Sequence, residues 1–512
     1  MSALPATLPW FAAHEFRLAW RDWLAMMTAG RRVRGIVLFA TLALFYVGLH
    51  LLTNALMAPW IIAGIAPDKS TLVTVTGTGF LFWTVMLSQA LESITRAYYS
   101  RSDLDLILSS PASSASVFAV RTSATAFGTV LLACLLASPI INTLVAHEGL
   151  KWLAAYGVLA GLGALAAALS VLVTIGLFRT IGPARTRLAA QIIAGIVGAG
   201  FVIGIQAVAI LSFGNMDRYA VMQSPEFVAA APAVDSLVWL PASAAMGDLG
   251  DMLLVLLIGF GALALVIRFT SRGFAQHAIA AAGVSATRVQ QTASTRPFRS
   301  ASQRHALRVK EWKLLRRDPW LLSQTLMQIL YLFPPALFLW ISYGQNAGTY
   351  VVVIPVIVMA AGQLAGGLSW LAISGEDAHD LVVTAPIHPR AVLIAKIEAV
   401  TISVAVIFAP ILLCVAIASL SLAWITAAFV AISAGSATAI QLWFRVPMRR
   451  AMFRRRQVAS RIATISEALS SIMWAGAAVL VAGNQWIAIL PAILAIVVLA
   501  VAYAMSPKGK RV

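Results

Sequence analysis

The chain has 512 residues, of which 60% are hydrophobic and 11% are charged, and its mean hydropathy is +0.88. Soluble domains contain roughly 45–50% apolar residues, so this composition excludes a soluble globular protein and predicts a polytopic membrane protein. The formal net charge of +18 would suit nucleic acid, but no platform of aromatic and basic residues accompanies it, and we expect no nucleic-acid partner.

The first 30 residues predict an interfacial helix rather than a signal peptide. Charged residues interrupt any apolar core in this segment, and no small-residue cleavage site follows it. Trp20, Trp23 and Met27 fall on one face at helical spacing, whereas Arg21 lies off that face. Aromatic residues with basic neighbours are typical of a helix in the lipid headgroup layer. We therefore predict an amphipathic interfacial helix that contains Trp20, Arg21 and Trp23.

Twelve apolar stretches downstream are long enough to cross a bilayer, which takes about 20 residues per helix. They lie at roughly 36–57, 72–95, 118–146, 152–178, 188–213, 250–270, 322–343, 350–373, 391–418, 421–444, 462–484 and 487–506. Barrel strands need only about 10 residues, so we predict an all-α fold with about 12 transmembrane helices. With twelve spans, all lysines and arginines except Lys69, Lys151 and Arg218 fall on one side of the membrane. The positive-inside rule predicts that this side is the cytoplasm. Both termini are predicted to lie on the same side.

The segment between the sixth and seventh spans divides the chain. Residues 268–317 are rich in Lys and Arg, with Glu311 as their only acid, and the middle of the segment is rich in Ser, Thr and Gln. We predict a first six-span half at 1–270, a basic cytoplasmic linker at 271–305, and a second six-span half at 306–512 that ends in a basic tail. The second half also begins with a predicted interfacial helix, which contains Trp312, Arg317 and Trp320.

A short motif occurs once in each half. Asp105-Leu106-Ile107-Leu108-Ser109-Ser110-Pro111 matches Asp380-Leu381-Val382-Val383-Thr384-Ala385-Pro386, and a cation follows each proline by ten residues. Both copies follow the second span of their half on the cytoplasmic side, which predicts two parallel pseudo-repeats related by an axis along the membrane normal. Such an element could pass the movement of a docked cytoplasmic protein to two spans; the alternative is a tight interfacial turn with snorkelling cations. The predicted coupling residues are Asp105, Pro111, Arg121, Asp380, Pro386 and Lys396.

The chain resembles the permease subunits of type-2 ABC exporters. The resemblance rests on the stretches 310–320 and 375–381 and on the order of interfacial helix, six spans and inner Asp-Leu element, and it covers most of the chain. It implies a bacterial inner-membrane protein whose loops between spans 2 and 3, and between spans 8 and 9, contact two ATP-binding subunits. Most such permeases have six spans and pair, whereas twelve spans would place the pseudo-dimer in one chain.

The expected partners are those ATPase subunits and membrane lipid. The phosphate-binding pattern G-x-x-x-x-G-K-[ST] does not occur in the sequence. We therefore expect ATP and Mg²⁺ on the partner, no cofactor on this chain and no enzymatic activity of its own. The sequence leaves the substrate open.

Other functions stay open as alternatives. An ion-coupled secondary transporter requires ionisable groups deep in the membrane, and His50 is the one deep candidate, because Glu398 and Glu467 lie in the inner halves of their spans. An intramembrane enzyme requires a catalytic constellation at depth, for which the sequence offers His50 no partner. A non-transporting assembly protein is the third alternative. Glutamines in spans, such as Gln441, can line a path or form hydrogen bonds between helices, and the hydrogen bonds are the commoner use.

Overall fold

The structure is a computed structural model that describes 32–99, 113–213, 221–273, 302–317, 349–374, 384–444 and 461–506, with the isolated residues 10, 13, 14, 17, 21, 330, 334, 337 and 382. All regular secondary structure in these ranges is helical, which confirms the all-α class.

Within the described ranges, eight α-helices precede the basic linker. They are α1 (Arg32–Ala63), α2 (Lys69–Tyr99), α3 (Ser114–Glu148), α4 (Ala154–Ile181), α5 (Pro183–Phe213), α6 (Pro225–Ala230), α7 (Leu240–Ala245) and α8 (Leu249–Thr270). Six more follow within the described ranges. They are α9 (Gln303–Arg317), α10 (Thr349–Ser374), α11 (Pro389–Ala418), α12 (Leu420–Trp443), α13 (Arg461–Ala482) and α14 (Ile489–Met505). Short 3-10 turns lie at Leu150–Leu153, Leu237–Trp239, Ser271–Gly273 and Trp486–Ala488.

Ten helices in the described ranges are long and apolar enough to cross a membrane, and they coincide with ten of the predicted spans. The first predicted span falls on α1, which includes the apolar helical stretch Tyr46–Ile62. The seventh, 322–343, lies outside the described residues except for positions 330, 334 and 337. The chain is thus a multi-pass helical membrane protein, whereas the count of twelve spans and the two pseudo-repeats stay predictions.

The ends of several helices follow from local sequence. The Ser113 hydroxyl accepts a hydrogen bond from the Ser116 amide at 3.1 Å, and Asp248 accepts one from the Asp251 amide at 3.0 Å. Short polar side chains at these positions satisfy amides that the first helical turn leaves free. Gly182 separates α4 from α5 with a φ of 72°, a conformation that glycine adopts without strain.

One compact unit comprises Met1–Val202 and Arg218–Thr292. Helix α4 is its centre, because α2, α3, α7 and α8 all pack against it. Gly161 of α4 and Gly259 of α8 bring their helix backbones into direct contact, and a Cβ atom on Gly259 would overlap the carbonyl group of Gly161. Small residues allow such close approach, which drives helix association in membranes.

The other compact unit comprises Ile203–Asp217 and Ala293–Val512. Its central helix is α10, which packs against α9, α11, α12 and α13. The buried face of α10 carries a row of aliphatic side chains: Ile354, Ile357, Val358, Ala361, Leu364, Leu368 and Leu371. By contrast, Val406, Leu413 and Ile417 on α11 are more than half exposed. Large apolar side chains directed away from the core are expected where lipid replaces water.

Candidate functional site

The structure describes half of the predicted site residues. Arg21 and Trp312, both predicted to lie on interfacial helices, are exposed and helical, and Arg317 is the last residue of α9. Six predicted positions lie outside the described residues: Trp20, Trp23, Asp105, Pro111, Trp320 and Asp380.

Three predicted coupling residues are described, and their environments differ. Arg121 is half-buried in the second turn of α3, seven residues after the helix begins. Pro386 is exposed in the turn that precedes α11. Lys396 is half-buried in the second turn of α11, where it is drawn into a buried ion pair rather than left exposed.

That ion pair fastens α9 to the membrane helices and is called the clamp below. Glu311 of α9 is fully buried, and its Oε1 lies 3.0 Å from Lys396 Nζ, which also donates to Oε2 at 3.1 Å. Lys310 Nζ lies 3.3 Å from the same carboxylate. Lys396 donates in addition to the main-chain carbonyl of Ala372 near the end of α10. The clamp therefore joins α9, α10 and α11 through one lysine.

The clamp follows from the residue pattern of α9. Leu307, Glu311 and Leu315 are buried and lie four residues apart, so they share one face of the helix. That face packs against α10 and α11, and a carboxylate on it needs a counter-charge, because an unpaired buried charge is strongly destabilising. An interfacial helix containing Trp312 was predicted here, but nothing in the sequence indicated that Lys396 would meet Glu311.

A second ion pair joins the same helices at the surface. Arg308 Nε lies 2.7 Å from Glu398 Oε2, with 53% and 28% of the two side chains exposed. The pair borders an apolar groove of about 450 Å³. The groove is lined by Arg308, Ile394, Ile397, Glu398, Thr401 and Ile402. Exposed ion pairs contribute about 0–1 kcal/mol, so this contact positions α9 rather than anchoring it.

The turn before α11 presents part of the predicted coupling element at the surface. Thr384, Pro386 and His388 are exposed. His388 caps α11, because its Nδ1 accepts a hydrogen bond from the Arg390 amide at 3.2 Å, and Pro389 occupies the first helical position, which proline favours. The turn therefore continues directly into the helix that carries Lys396.

A buried carboxyl group lies elsewhere in this unit, in the polar contact between α12 and α13 that we call the Glu467 seam. Glu467 is 8% exposed, and Gln441 Nε2 donates to its Oε2 at 2.6 Å. This confirms that Gln441 forms a hydrogen bond between helices. The carboxyl group packs against Gly366 of α10, and one turn earlier Gly362 faces the hydroxyls of Ser433 and Ser471.

The Glu467 seam was not predicted as a site, although the sequence carries a signal for it. Gly362 and Gly366 form a G-x-x-x-G pattern, which marks close helix packing in membranes. Glu467 and Ser471 are also four residues apart, so they share one face of α13. Nothing in the sequence, however, shows that these two faces meet.

In the first unit, a chain of hydrogen bonds connects α1, α3 and α4. His50 Nε2 lies 3.1 Å from Asn142 Nδ2, and Asn142 Oδ1 accepts from the Tyr156 hydroxyl at 2.8 Å. His50 Nδ1 lies 2.8 Å from the Tyr46 carbonyl oxygen, so His50 donates from Nδ1 and accepts at Nε2. His50 thus has polar partners, but they are amide and carbonyl groups, which do not activate a nucleophile.

The described residues contain no group of three or more His, Cys, Asp or Glu residues that could hold a metal ion. No family model matches the chain, and neither a curated protein nor a solved structure is similar to it.

Proposed function

We propose that this chain is the transmembrane permease subunit of an ATP-driven exporter, of the type-2 ABC class that it resembles in sequence. The protein would supply the membrane path, and separate ATPase subunits would bind and hydrolyse ATP. The two halves of the chain would move between inward-facing and outward-facing states. We also propose that the protein lies in a bacterial inner membrane, that both termini are in the cytoplasm, and that twelve spans form two parallel halves.

The observation that carries the proposal is the continuous connection from an exposed turn to the clamp. Pro386 lies at the surface, where a partner protein can reach it, and α11 begins three residues later. Lys396, in the second turn of α11, holds Glu311 of α9. Because packed helices transmit displacement rather than absorb it, a force on the turn would move α9 and α11 together.

The predicted interfacial role of α9 supports the same function. Its exposed side carries Arg304, Arg308, Trp312 and Lys313. Basic residues with an aromatic neighbour favour contact with anionic lipid at the membrane surface. The clamp on the opposite face would then connect a helix lying on the membrane to helices that cross it.

The test is copurification of the full chain from native membranes in mild detergent. We expect an ATPase that contains a phosphate-binding loop in the eluate. In a variant without native cysteines, Thr384→Cys should form a cross-link to that ATPase. Gln485→Cys is the matched control, because Gln485 is also exposed and lies in the turn between α13 and α14. If every helix crosses the membrane, this turn lies on the side of the membrane opposite Thr384, and Gln485→Cys should form no cross-link.

Coupling itself is tested with the paired variant Asp105→Ala and Asp380→Ala in reconstituted vesicles. The paired variant should insert normally and lower the stimulation of the ATPase. Unchanged stimulation, or an eluate without an ATPase, would contradict the proposal.

One observation favours the rival function of an ion-coupled secondary transporter. Glu467 is a buried carboxyl group in a helix that can cross the membrane, and ionisable groups in such positions often mark ion pathways. Transport by purified protein in ATP-free vesicles, driven by an ion gradient alone, would favour this rival.

A further inference from the structure

The Glu467 seam places one ionisable group inside a packed bundle of membrane helices. Glu467 is the seventh residue of α13, within the candidate span Ala463–Ala482. Its carboxyl group is buried and receives one hydrogen bond, from Gln441. An amide offers a dipole but no charge, so Gln441 cannot neutralise a carboxylate.

Among the residues that the structure describes, the helices packed against α13 supply no counter-ion. Helices α10, α12 and α14 contain no Asp, Glu, Lys, Arg or His, and within the described residues no cation forms an ion pair with Glu467. Arg461, the other charged residue of α13, lies six residues away, which is about 9 Å along the axis and on a different face.

The remaining titratable side chains on these helices are two tyrosines, which carry no positive charge. Tyr350 lies sixteen residues before Gly366, or about 24 Å along α10. Tyr503 of α14 is exposed and packs its ring edge against Trp443.

The seam also carries polar groups whose bonding capacity is unused. The hydroxyl oxygens of Ser433, Ser470 and Ser471 are buried and have no hydrogen-bond partner among the residues that the structure describes. Buried polar groups are normally satisfied. Ser433 and Ser471 lie at Gly362, one turn of α10 from the Gly366 that contacts Glu467, so their hydroxyls can bind a water molecule that enters the seam.

The glycines of α10 leave little space in the seam. A Cβ atom on Gly366 would overlap the Glu467 carboxyl group, and one on Gly362 would overlap the hydroxyls of Ser433 and Ser471. A hydrated ion is larger than a methyl group, so an ion with its water shell does not fit between α10 and the polar side chains at Gly362 and Gly366. An uncompensated charge is costly at such a position.

We infer that Glu467 is a proton-binding site: its carboxyl group carries a proton while α10, α12 and α13 are packed together, and releases that proton when they separate. On release, the proton passes from the carboxyl oxygen to a water molecule that enters the seam, leaving a carboxylate and a hydronium ion. The inference does not depend on the ATPase partner, because the ligand is a proton and the site lies within one unit.

Infrared spectroscopy of the full-length purified protein tests the inference. At neutral pH the wild type should show the carbonyl band of a buried carboxylic acid. Glu467→Gln, which keeps the shape and lacks the proton, should lose this band. Glu398→Gln, which removes a partly exposed carboxylate paired with Arg308, should retain it. A wild-type spectrum without such a band, or a band that survives Glu467→Gln, would overturn the inference.

Thermal unfolding gives a second readout. The melting temperature of the wild type should fall by about 2–4 °C per pH unit once the pH exceeds about 4.3, the ordinary pKa of a glutamate, and should level off where the packed state also loses the proton. Over this range only the opened state gains free energy by ionising. Glu467→Gln should show no such slope. Should Glu467→Gln fail to fold, Gln441→Met removes the hydrogen-bond donor instead and should shift the infrared band without abolishing it.

Sodium chloride, compared with choline chloride at one pH, separates a proton from a metal cation. If sodium stabilises the wild type but not Glu467→Gln, the ligand of Glu467 is sodium, and the proton-binding inference is overturned. The two experiments are independent of each other. If the infrared band is missing, the ATPase should still copurify, and if no ATPase copurifies, the infrared band should still be seen.

Discussion

Removal of one partner of the clamp should destabilise the second unit more than removal of both. Glu311 is fully buried, and 13% of Lys396 is exposed, at a separation of 3.0 Å. At an effective dielectric constant of about 20 the attraction at this distance is about 5 kcal/mol before the cost of desolvation. Glu311→Leu leaves Lys396 without its carboxylate and should cost about 3–5 kcal/mol.

Lys396→Met should cost less, about 2–3 kcal/mol, because Lys310 still faces Glu311 at 3.3 Å. The double variant Glu311→Leu with Lys396→Met removes both charges and fills the space with apolar atoms. Its stability should lie within about 1–2 kcal/mol of the wild type. Thermal unfolding of the purified protein in detergent measures the whole cycle.

Arg308 and Glu398 provide the matched control, because they join the same helices through an exposed pair. Arg308→Met should change stability by about 0–1 kcal/mol. The reasoning is refuted if the losses in the two clamp variants simply add in the double variant, since additive losses would mean that the residues are not coupled.

Two further predictions concern the first unit. Gly259→Ala should lower its stability by about 1–3 kcal/mol in thermal unfolding, because the new Cβ overlaps the main chain of Gly161, whereas Gly261→Ala, with open space around it, should have little effect. The pKa of Asp68 is lowered by hydrogen bonds from Thr71, from its side chain first and its main-chain amide second, so the stability from this cap is present at neutral pH and is lost as the pH falls through the lowered pKa. Asp68→Asn should keep the cap and reduce that acid-dependent loss, whereas Asp68→Ala should cost about 1 kcal/mol at neutral pH, as measured by thermal unfolding.

The helices of this protein could be predicted from the sequence because the signal is local. A run of about 20 apolar residues has few alternatives to a helix in a membrane, and ten predicted spans coincide with candidate membrane helices. Ends such as that at Ser113 were also predictable, since a cap depends on neighbours within one turn.

The partners of buried polar residues could not be predicted in the same way. Glu311 and Lys396 are 85 residues apart, and their contact depends on how α9 and α11 rotate about their axes. The apolar surface of a span does not reveal this rotation, because lipid and protein neighbours are equally apolar. Gly362 and Gly366 were the one sequence signal for helix rotation, because small residues mark the face on which helices pack closely.

Two buried glutamates in one unit illustrate how environment, and not residue type, assigns a role. Glu311 contacts two lysines, and through Lys396 it holds three helices in fixed positions. Glu467 contacts an amide and a glycine, and no cation in the described part of the chain compensates a charge on it in the packed state. The Glu311 ion pair therefore holds α9, α10 and α11 together, whereas Glu467 makes the packing of α10, α12 and α13 depend on a bound proton. A force that separates α10 from α13 would therefore release a proton, and a proton taken up there would favour their closure.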